Sequence, residues 1–439
     1  MSREKSGNHG VFERFFHSEV AGSLVLLACA LTALVWANSP WADSYFELIY
    51  TYVGISWGDA VFKLSLQHWI NDALMVLFFF IVGLEVKREV MVGQLSSVRQ
   101  AALPVAAAIG GMVVPAALYF AVNAGGYGAS GWGVPMATDI AFALGILAIF
   151  GSRAPLGLKV FLTALAIADD IGAVLVIALF YTDEIRLGAL IVAGGLMLAI
   201  VVAGRAGVRS AGVYIFLAIG VWAAVFTSGL HATVAGILVA MLVPVRARIE
   251  PVKFLATMKE GLARLAGQEL TNVSMISDTD QLDELDDLYH STKKMIPVGI
   301  RLEHLLHPVQ ASFVLPLFAL FNAGVALGGD AVGRLVEPIG MGIVLGLVLG
   351  KPVGVLLMSW LAVRLGWADL PDGVNWRMIT GVGFLAGIGF TMALFITDLA
   401  FKDAAAIDAA KIGILFASFA AGVIGYLILR TALPQRAPE

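Results

Sequence analysis

Two carboxylates, Asp169 and Asp170, stand side by side in a run otherwise free of charge from Val160 to Tyr181. The nearest charged residues, Lys159 and Asp183, lie roughly 15 and 20 Å away along a helix at about 1.5 Å per residue. In a helix that crosses a bilayer, the doublet therefore sits near mid-membrane, where each acid costs roughly 2.5–3.5 kcal/mol to insert. A structural ion pair needs only one acid, so the doublet reads as a working group. Adjacent helical residues point about 100° apart, and both acids can border one crevice with different neighbours. At about 6 Å and an effective dielectric near 20, two such charges repel by about 3 kcal/mol. A proton or a monovalent cation relieves that repulsion, and the two compete for the same oxygens. This competition is the chemistry of cation/proton exchange.

Three further features fall at membrane depth. Lys351 lies midway between the charges of Glu337 and Arg364, and a lysine held there pairs with an acid or goes uncharged. Asp139 follows Pro135 and Thr138, and the next charge is Arg153. The stretch from Gly383 to Thr391 lies in an uncharged span, and its Gly387 and Gly389 favour a broken helix. A Thr138–Asp139 span is followed by the doublet's span, and a Lys351 span by the glycine-interrupted one. Interrupted spans in both halves point to inverted repeats, with an ion site where the broken helices meet. Asp139 suits the positive ends of broken helices and Lys351 the negative ends. Oxygen ligands from Asp and Thr suit a hard cation. No His/Cys cluster suggests a transition metal, and no cofactor is expected.

The elements that position these groups follow from composition. The 439-residue chain is 59% hydrophobic and 14% charged, whereas a soluble domain carries about a quarter charged residues. It reads as one all-α polytopic membrane domain over 1–439. Twelve apolar segments are expected: 20–36, 69–86, 101–122, 133–150, 156–181, 187–203, 211–227, 231–245, 308–327, 339–363, 379–396 and 409–429. The charged head (Arg3, Lys5, Arg14) precedes an apolar run too long for a signal peptide, so the first segment is expected to be retained. The lone Cys29 excludes an intrachain disulfide. Charges scattered between apolar runs form no basic face for nucleic acid. Most Lys and Arg, including Lys87, Arg88, Arg153, Arg246, Arg301, Arg364 and Arg430, fall on one side of the twelve segments. Lys63, Arg186, Arg334, Lys402 and Lys411 fall on the other. The positive-inside rule then puts both termini in the cytoplasm.

Two insertions stand out between the spans. Val53, Ile55 and Trp57, then Phe62, Leu64 and Leu66, alternate with small or polar residues around Gly58-Asp59. This predicts a short extracytoplasmic β-hairpin over 48–66. An isolated hairpin is marginal in water, so pairing with a second copy and hence a homodimer is expected. The 246–301 loop is the one sizeable segment outside the bilayer. Phe254, Met258, Leu262 and Leu265 predict a cytoplasmic helix, and the acidic stretch from Asp278 to Asp287 a flexible linker after it.

At these residues the chain resembles the NhaA family of bacterial Na+/H+ antiporters. The likeness runs through Trp69–Asp72, Val82–Glu89, Ala137–Gly145, Ala164–Gly172, Gly229–Thr233, Arg301–His304, Gly350–Pro352 and Gly387–Met392. The family is itself a type case of inverted-repeat transporters. The resemblance implies twelve helices with both termini inside, crossed broken helices 4 and 11, and a dimer with a β-hairpin in a bacterial inner membrane. It makes Asp170 the main cation ligand, Asp169 a shared proton and ion site, and Lys351 the partner of Asp169. Thr138 and Asp139 support the site. Paired aspartates mark the electrogenic branch, which moves more protons than Na+ or Li+ per cycle. Glu85, Arg88, Glu89 and Glu303, with His231, resemble the family's pH-response cluster. The long 246–301 loop departs from its best-known members.

The alternative transport reading is a sodium-coupled organic-anion symporter of similar fold. An enzyme is not expected. An intramembrane aspartyl protease needs two acids facing each other across separate helices, which adjacent Asp169 and Asp170 cannot provide.

Overall fold

A computed structural model describes residues 19–57, 60–93, 95–181, 186–208, 210–245, 251–267, 279–295, 297–328 and 331–434. The basic residues Arg3, Lys5, Arg14, Arg209, Arg246 and Arg248, the Gly58-Asp59 turn, Asp183 and Asp278 lie outside the described residues. Apolar runs with every backbone group paired internally give helices long enough to cross a bilayer. Nine such helices are present among the described residues: Leu66–Val92, Val98–Asn123, Ala129–Ile149, Leu156–Phe180, Leu187–Ala206, Ala211–Ser228, Val298–Asn322, Pro338–Arg364 and Ala404–Ala432. Two bent pairs, Ala21–Ala37 with Ala42–Tyr50 and Trp376–Ala386 with Phe390–Ala400, turn by 115° and 44°. With the shorter apolar helix Ala232–Leu242, these make the twelve expected segments, called spans 1 to 12 in chain order.

The ends differ from the hydropathy reading because a helix continues past the apolar stretch wherever caps satisfy its termini. Span 9 starts at Val298 and carries Glu303 inside it, and span 11 starts at Trp376, where Asn375 accepts from the Met378 amide at 3.0 Å. The second half of span 11 runs to Ala400 and includes Asp398, so the span expected to be uncharged holds an acid.

Spans 3 to 5 and 10 to 12 form two units whose middle span is broken. Span 4 is a 3-10 helix (Ala129–Met136), an extended break over 137–139, and an α-helix (Ile140–Ile149). Because spans alternate in direction, span 3 and span 10 run oppositely, and the two units are inverted. They meet along spans 3 and 10, where a Cβ on Gly354 would strike the carbonyl of Gly110 and one on Gly110 that of Gly354. A Cβ on Gly111 would crowd Lys351 Cε at 3.4 Å, so this glycine face also makes room for the lysine stem. Short π-helical segments interrupt spans 2, 9 and 10 at Trp69–Leu74, Gln310–Val314 and Gly346–Gly350; the last delivers Lys351. Such bulges turn a helix face locally and frequently occur at functional sites. A separate apolar cluster unites spans 2, 6, 7 and 8 with the start of span 9, through Phe80, Ile200, Val221, Val239 and Leu302.

Outside the spans, Tyr52–Trp57 and Ala60–Ser65 pair antiparallel from Tyr52↔Ser65 to Trp57↔Ala60, as the alternation predicts. The strands are narrower than 48–66, since Ala42–Tyr50 is helical and Leu66 begins span 2. The expected flexible acidic linker is instead a helix, Thr279–Met295, packed on Pro251–Ala266. Gln281, Leu285 and Leu288 share a face at helical spacing, and Leu288 and Leu265 are buried in the pairing. Arg264 closes it with two hydrogen bonds to Glu284, 2.9 and 2.8 Å, and holds that carboxyl below the usual range.

The contact of spans 3 and 10 should not tolerate a side chain. Gly354→Leu is expected to destabilise by about 1–3 kcal/mol or more, as overpacking does, and to lower the melting temperature of the purified protein. A melting temperature equal to the unmutated protein's would contradict this packing.

Candidate cation and proton site

The site is assembled from the ends of four half-helices. Breaking spans 4 and 11 exposes backbone amides and carbonyls that an apolar core cannot solvate. They are satisfied by each other and by four side chains. The Asp139 amide donates to the Ile388 carbonyl at 2.6 Å, joining the two breaks directly. Asp139 Oδ1 caps the second half of span 4 by accepting from the Phe142 amide at 3.1 Å. Its Oδ2 accepts from the Thr391 amide at 3.0 Å and the Thr391 hydroxyl at 2.5 Å, at the start of the second half of span 11. One carboxylate thus faces two positive helix ends. Thr138 Oγ1 lies 2.9 Å from the Ala386 carbonyl and 2.7 Å from Asp169 Oδ2, within donating distance of both.

Lys351 is fully buried and serves the negative ends. Its Nζ donates to the Met136 carbonyl, the last of the 3-10 half of span 4, and lies 2.7 Å from Asp169 Oδ2. One oxygen of Asp169 is therefore committed to Lys351 and Thr138, whereas Oδ1 of Asp169 and Oδ1 of Asp170 are buried without a hydrogen-bond partner. Both aspartates are about 1–2% exposed. Two unsatisfied carboxylate oxygens in a dry site are hard, anionic donors of the kind an alkali cation or a proton completes. The predicted residues Thr138, Asp139, Asp169, Asp170 and Lys351 converge here, and Gly387 and Gly389 lie in the break of span 11. A Cβ on Gly387 would meet the Leu347 carbonyl, so the glycine is needed where span 10 passes the break.

Four of the five residues expected in a pH-response group also converge. Arg88 Nη1 lies 3.3 Å from Glu303 Oε1, and Nη2 lies 3.3 Å from Glu89 and 4.0 Å from Glu85. This network ties span 2 to span 9. His231, grouped with them by role, does not join Arg88. Its Nε2 bonds the Tyr181 carbonyl, and it lines a cavity with His68, Asp72 and Asp398 at the hairpin end of the molecule. Span 8 runs from His231 to the Arg88 end, where Lys87 caps its last turn through the Met241 and Val243 carbonyls at 2.7 and 2.5 Å, so its two ends serve opposite faces. Thr391 was quoted only as part of a motif, and its hydroxyl beside a predicted helix break was the signal for its role. Asn71 and Asp398 also escaped notice as partners; the signal was an acid just beyond the apolar boundary.

The chain matches the family model "Na+/H+ antiporter 1" over residues 13–429. It is 48% identical over 428 residues to the Na(+)/H(+) antiporter NhaA of Oleidesulfovibrio alaskensis, covering 98% of this chain and 95% of that protein. It is 45% identical to Na(+)/H(+) antiporter NhaA 2 of Syntrophotalea carbinolica, with 97% of each chain covered. The NhaA of Wolinella succinogenes is 43% identical over 97% of this chain and 94% of its own. Likeness of this extent, together with a crossed pair of broken spans beside the paired aspartates of span 5, makes this chain a member of the Na+/H+ antiporter 1 family of multi-pass membrane transporters.

Proposed function

We propose that the chain exports Na+ or Li+ in exchange for protons, as an electrogenic, pH-regulated antiporter of the bacterial inner membrane. The observation that carries this reading is the pair of unsatisfied oxygens on Asp169 and Asp170 at the crossing of the two breaks. Asp170, with no hydrogen-bonded partner on its free oxygen, is the principal cation ligand. Asp169 exchanges its lysine for the ion, with the Thr138 oxygen alongside. When both carboxylates are protonated in turn, two protons are exchanged for one monovalent cation, and net charge moves. The runner-up, a sodium-coupled organic-anion symporter, finds no support among relatives named as Na+/H+ antiporters.

In this reading the Arg88 face is cytoplasmic with both termini, by the excess of Lys and Arg there. The Arg88–Glu303–Glu89–Glu85 network senses pH at that face, because protonating a glutamate loosens the link between spans 2 and 9. The hairpin at residues 52–65 leaves strand edges for a second copy, which supports a homodimer.

The direct test is the ΔpH response of everted membrane vesicles to added Na+ or Li+. Asp170→Asn keeps the shape of the side chain and removes its charge, and is expected to abolish the response; full exchange by this variant would reject the site. Lys351→Ala leaves the buried Asp169 without its cation. Breaking such a pair costs about 3–5 kcal/mol, so a lower melting temperature and weakened Na+-driven exchange are expected. Unchanged melting and exchange together would show that Asp169 does not depend on the lysine.

A further inference from the structure

At the end of the molecule opposite Arg88, spans 1, 2, 7, 8, 11 and 12 border a cavity of about 660 Å³. Its floor is built from one stripe on each of three helices. In the second half of span 11, Thr391, Phe395 and Asp398 recur at i, i+4 and i+7, on one face over roughly 10 Å. Thr391 holds Asp139 in the ion site. Phe395 is buried, with its ring centroid 5.4 Å from that of Phe79 and 6.2 Å from that of Phe318. Asp398 opens into the cavity. Span 9 repeats the order, with Asn322 one turn beyond Phe318, and span 2 places Asn71 two turns before Phe79. A dry aromatic layer of Phe79, Phe318 and Phe395 is therefore covered by a polar layer.

That polar layer is only partly satisfied. Asn71 Nδ2 donates to Asp398 Oδ2 at 2.8 Å and reaches Asn322 Oδ1 at 3.2 Å, while Asn322 Nδ2 donates to Asn71 Oδ1 at 2.8 Å. The two amides are thus used up on each other and on one carboxylate oxygen. The other oxygen of Asp398 and the whole carboxylate of Asp72 have no hydrogen bond among the described residues, and both residues line the cavity. A third observation is independent of these acids. Lys411 of span 12 also lines the cavity, is only 6% exposed, and makes no hydrogen bond or ion pair within bonding distance among the described residues. The remaining charges facing the cavity are His68, His231, Lys402 and Asp408, and Asp408 is held by Arg334 at 2.7 Å. A buried ammonium thus lines the same cavity as a carboxylate with one free oxygen, and, unlike Lys351 and Asp169 at 2.7 Å, the two are not closed into an ion pair, so an external cation can reach the acid.

We propose that Asp398 and Asp72 form a second, transient site for the transported alkali cation on the outer side of the Phe79–Phe318–Phe395 layer, with Lys411 as its standing counter-charge. The proposal rests on the antiporter reading and adds the place where the cation pauses between the dry site and bulk water. Carboxylate oxygens suit a hard cation. A cavity of this width leaves room for the ion to stay partly hydrated, which keeps the affinity low, as conduction through successive sites requires.

The test uses full-length protein and Na+ itself. In detergent, ²³Na NMR line broadening by the Asp170→Asn protein, whose main site is disabled, is expected to persist in part. Asp170→Asn with Asp398→Asn should lose at least about half of that remainder, and Asp170→Asn with Lys411→Met should increase it, because the competing ammonium is gone. In oriented vesicles, Asp398→Asn should raise the ratio of outer-face to inner-face KM for Na+ about fivefold, since asparagine still accepts from Asn71 but carries no charge. No broadening in the Asp170→Asn protein, broadening indifferent to Asp398, or equal KM changes at both faces would overturn the second site. Absence of Na+-driven proton flux in the unmutated protein would instead overturn the antiporter reading, whatever the NMR shows.

Discussion

The structure depends on one constraint: two helices are broken in the middle of an apolar body, and their four exposed ends must be satisfied without water. An unpaired amide or carbonyl there costs several kcal/mol, so a break is stable only where another polar group meets it. The two breaks are placed against each other, and Asp139 joins both positive ends while Lys351 takes a negative one. The candidate ion site follows from this arrangement. Lys351 is held at the breaks by the Met136 carbonyl, and Asp169 is held by Lys351 and Thr138. Asp170, next in sequence but turned about 100° away, is left without those partners. Neutralising helix ends and leaving a free carboxylate are two results of the same geometry.

The long helices extend this site to both faces. Span 2 carries Asn71 at one end and Glu85, Arg88 and Glu89 at the other, and span 9 carries Asn322 and Glu303 in matching positions. Polar links between the same two helices therefore exist at each end, with the buried phenylalanines between them. Span 11 meets this pair through Asp398 and Phe395 on its second half, while its first half packs with spans 10 and 12. A rearrangement at the break can thus reach the outer layer along one short helix. The inserted pair of helices, Pro251–Ala266 and Thr279–Met295, leads into span 9 a few residues before Glu303 and is stabilised mainly by its own contacts.

Much of the site was legible because charge is so expensive in an apolar run. Asp139, Asp169, Asp170 and Lys351 each interrupt such a run, and their isolation along the chain reports their depth directly. Gly387 and Gly389 marked one break, and Pro135 with Thr138 the other. The β-hairpin was legible from its alternation around two turn residues. The acidic helix Thr279–Met295 was not, because its stability comes from Leu265 and Arg264 of a partner helix rather than from its own charge-rich sequence. The place of His231 at the hairpin end was not legible, since motif likeness carries a residue's name but not its position across the membrane.

The sequence by itself determined the class of the molecule, the depth of its charges and the presence of two interruptions, because these depend only on local composition and on the energy of burying polar groups. Only the tertiary structure decided which charge meets which helix end and that Asp398 hydrogen-bonds Asn71 at the wall of a cavity. Those pairings join residues far apart in the chain, 215 positions for Lys351 and the Met136 carbonyl and 327 for Asn71 and Asp398. They are set by the crossing of packed helices, which no local spacing encodes.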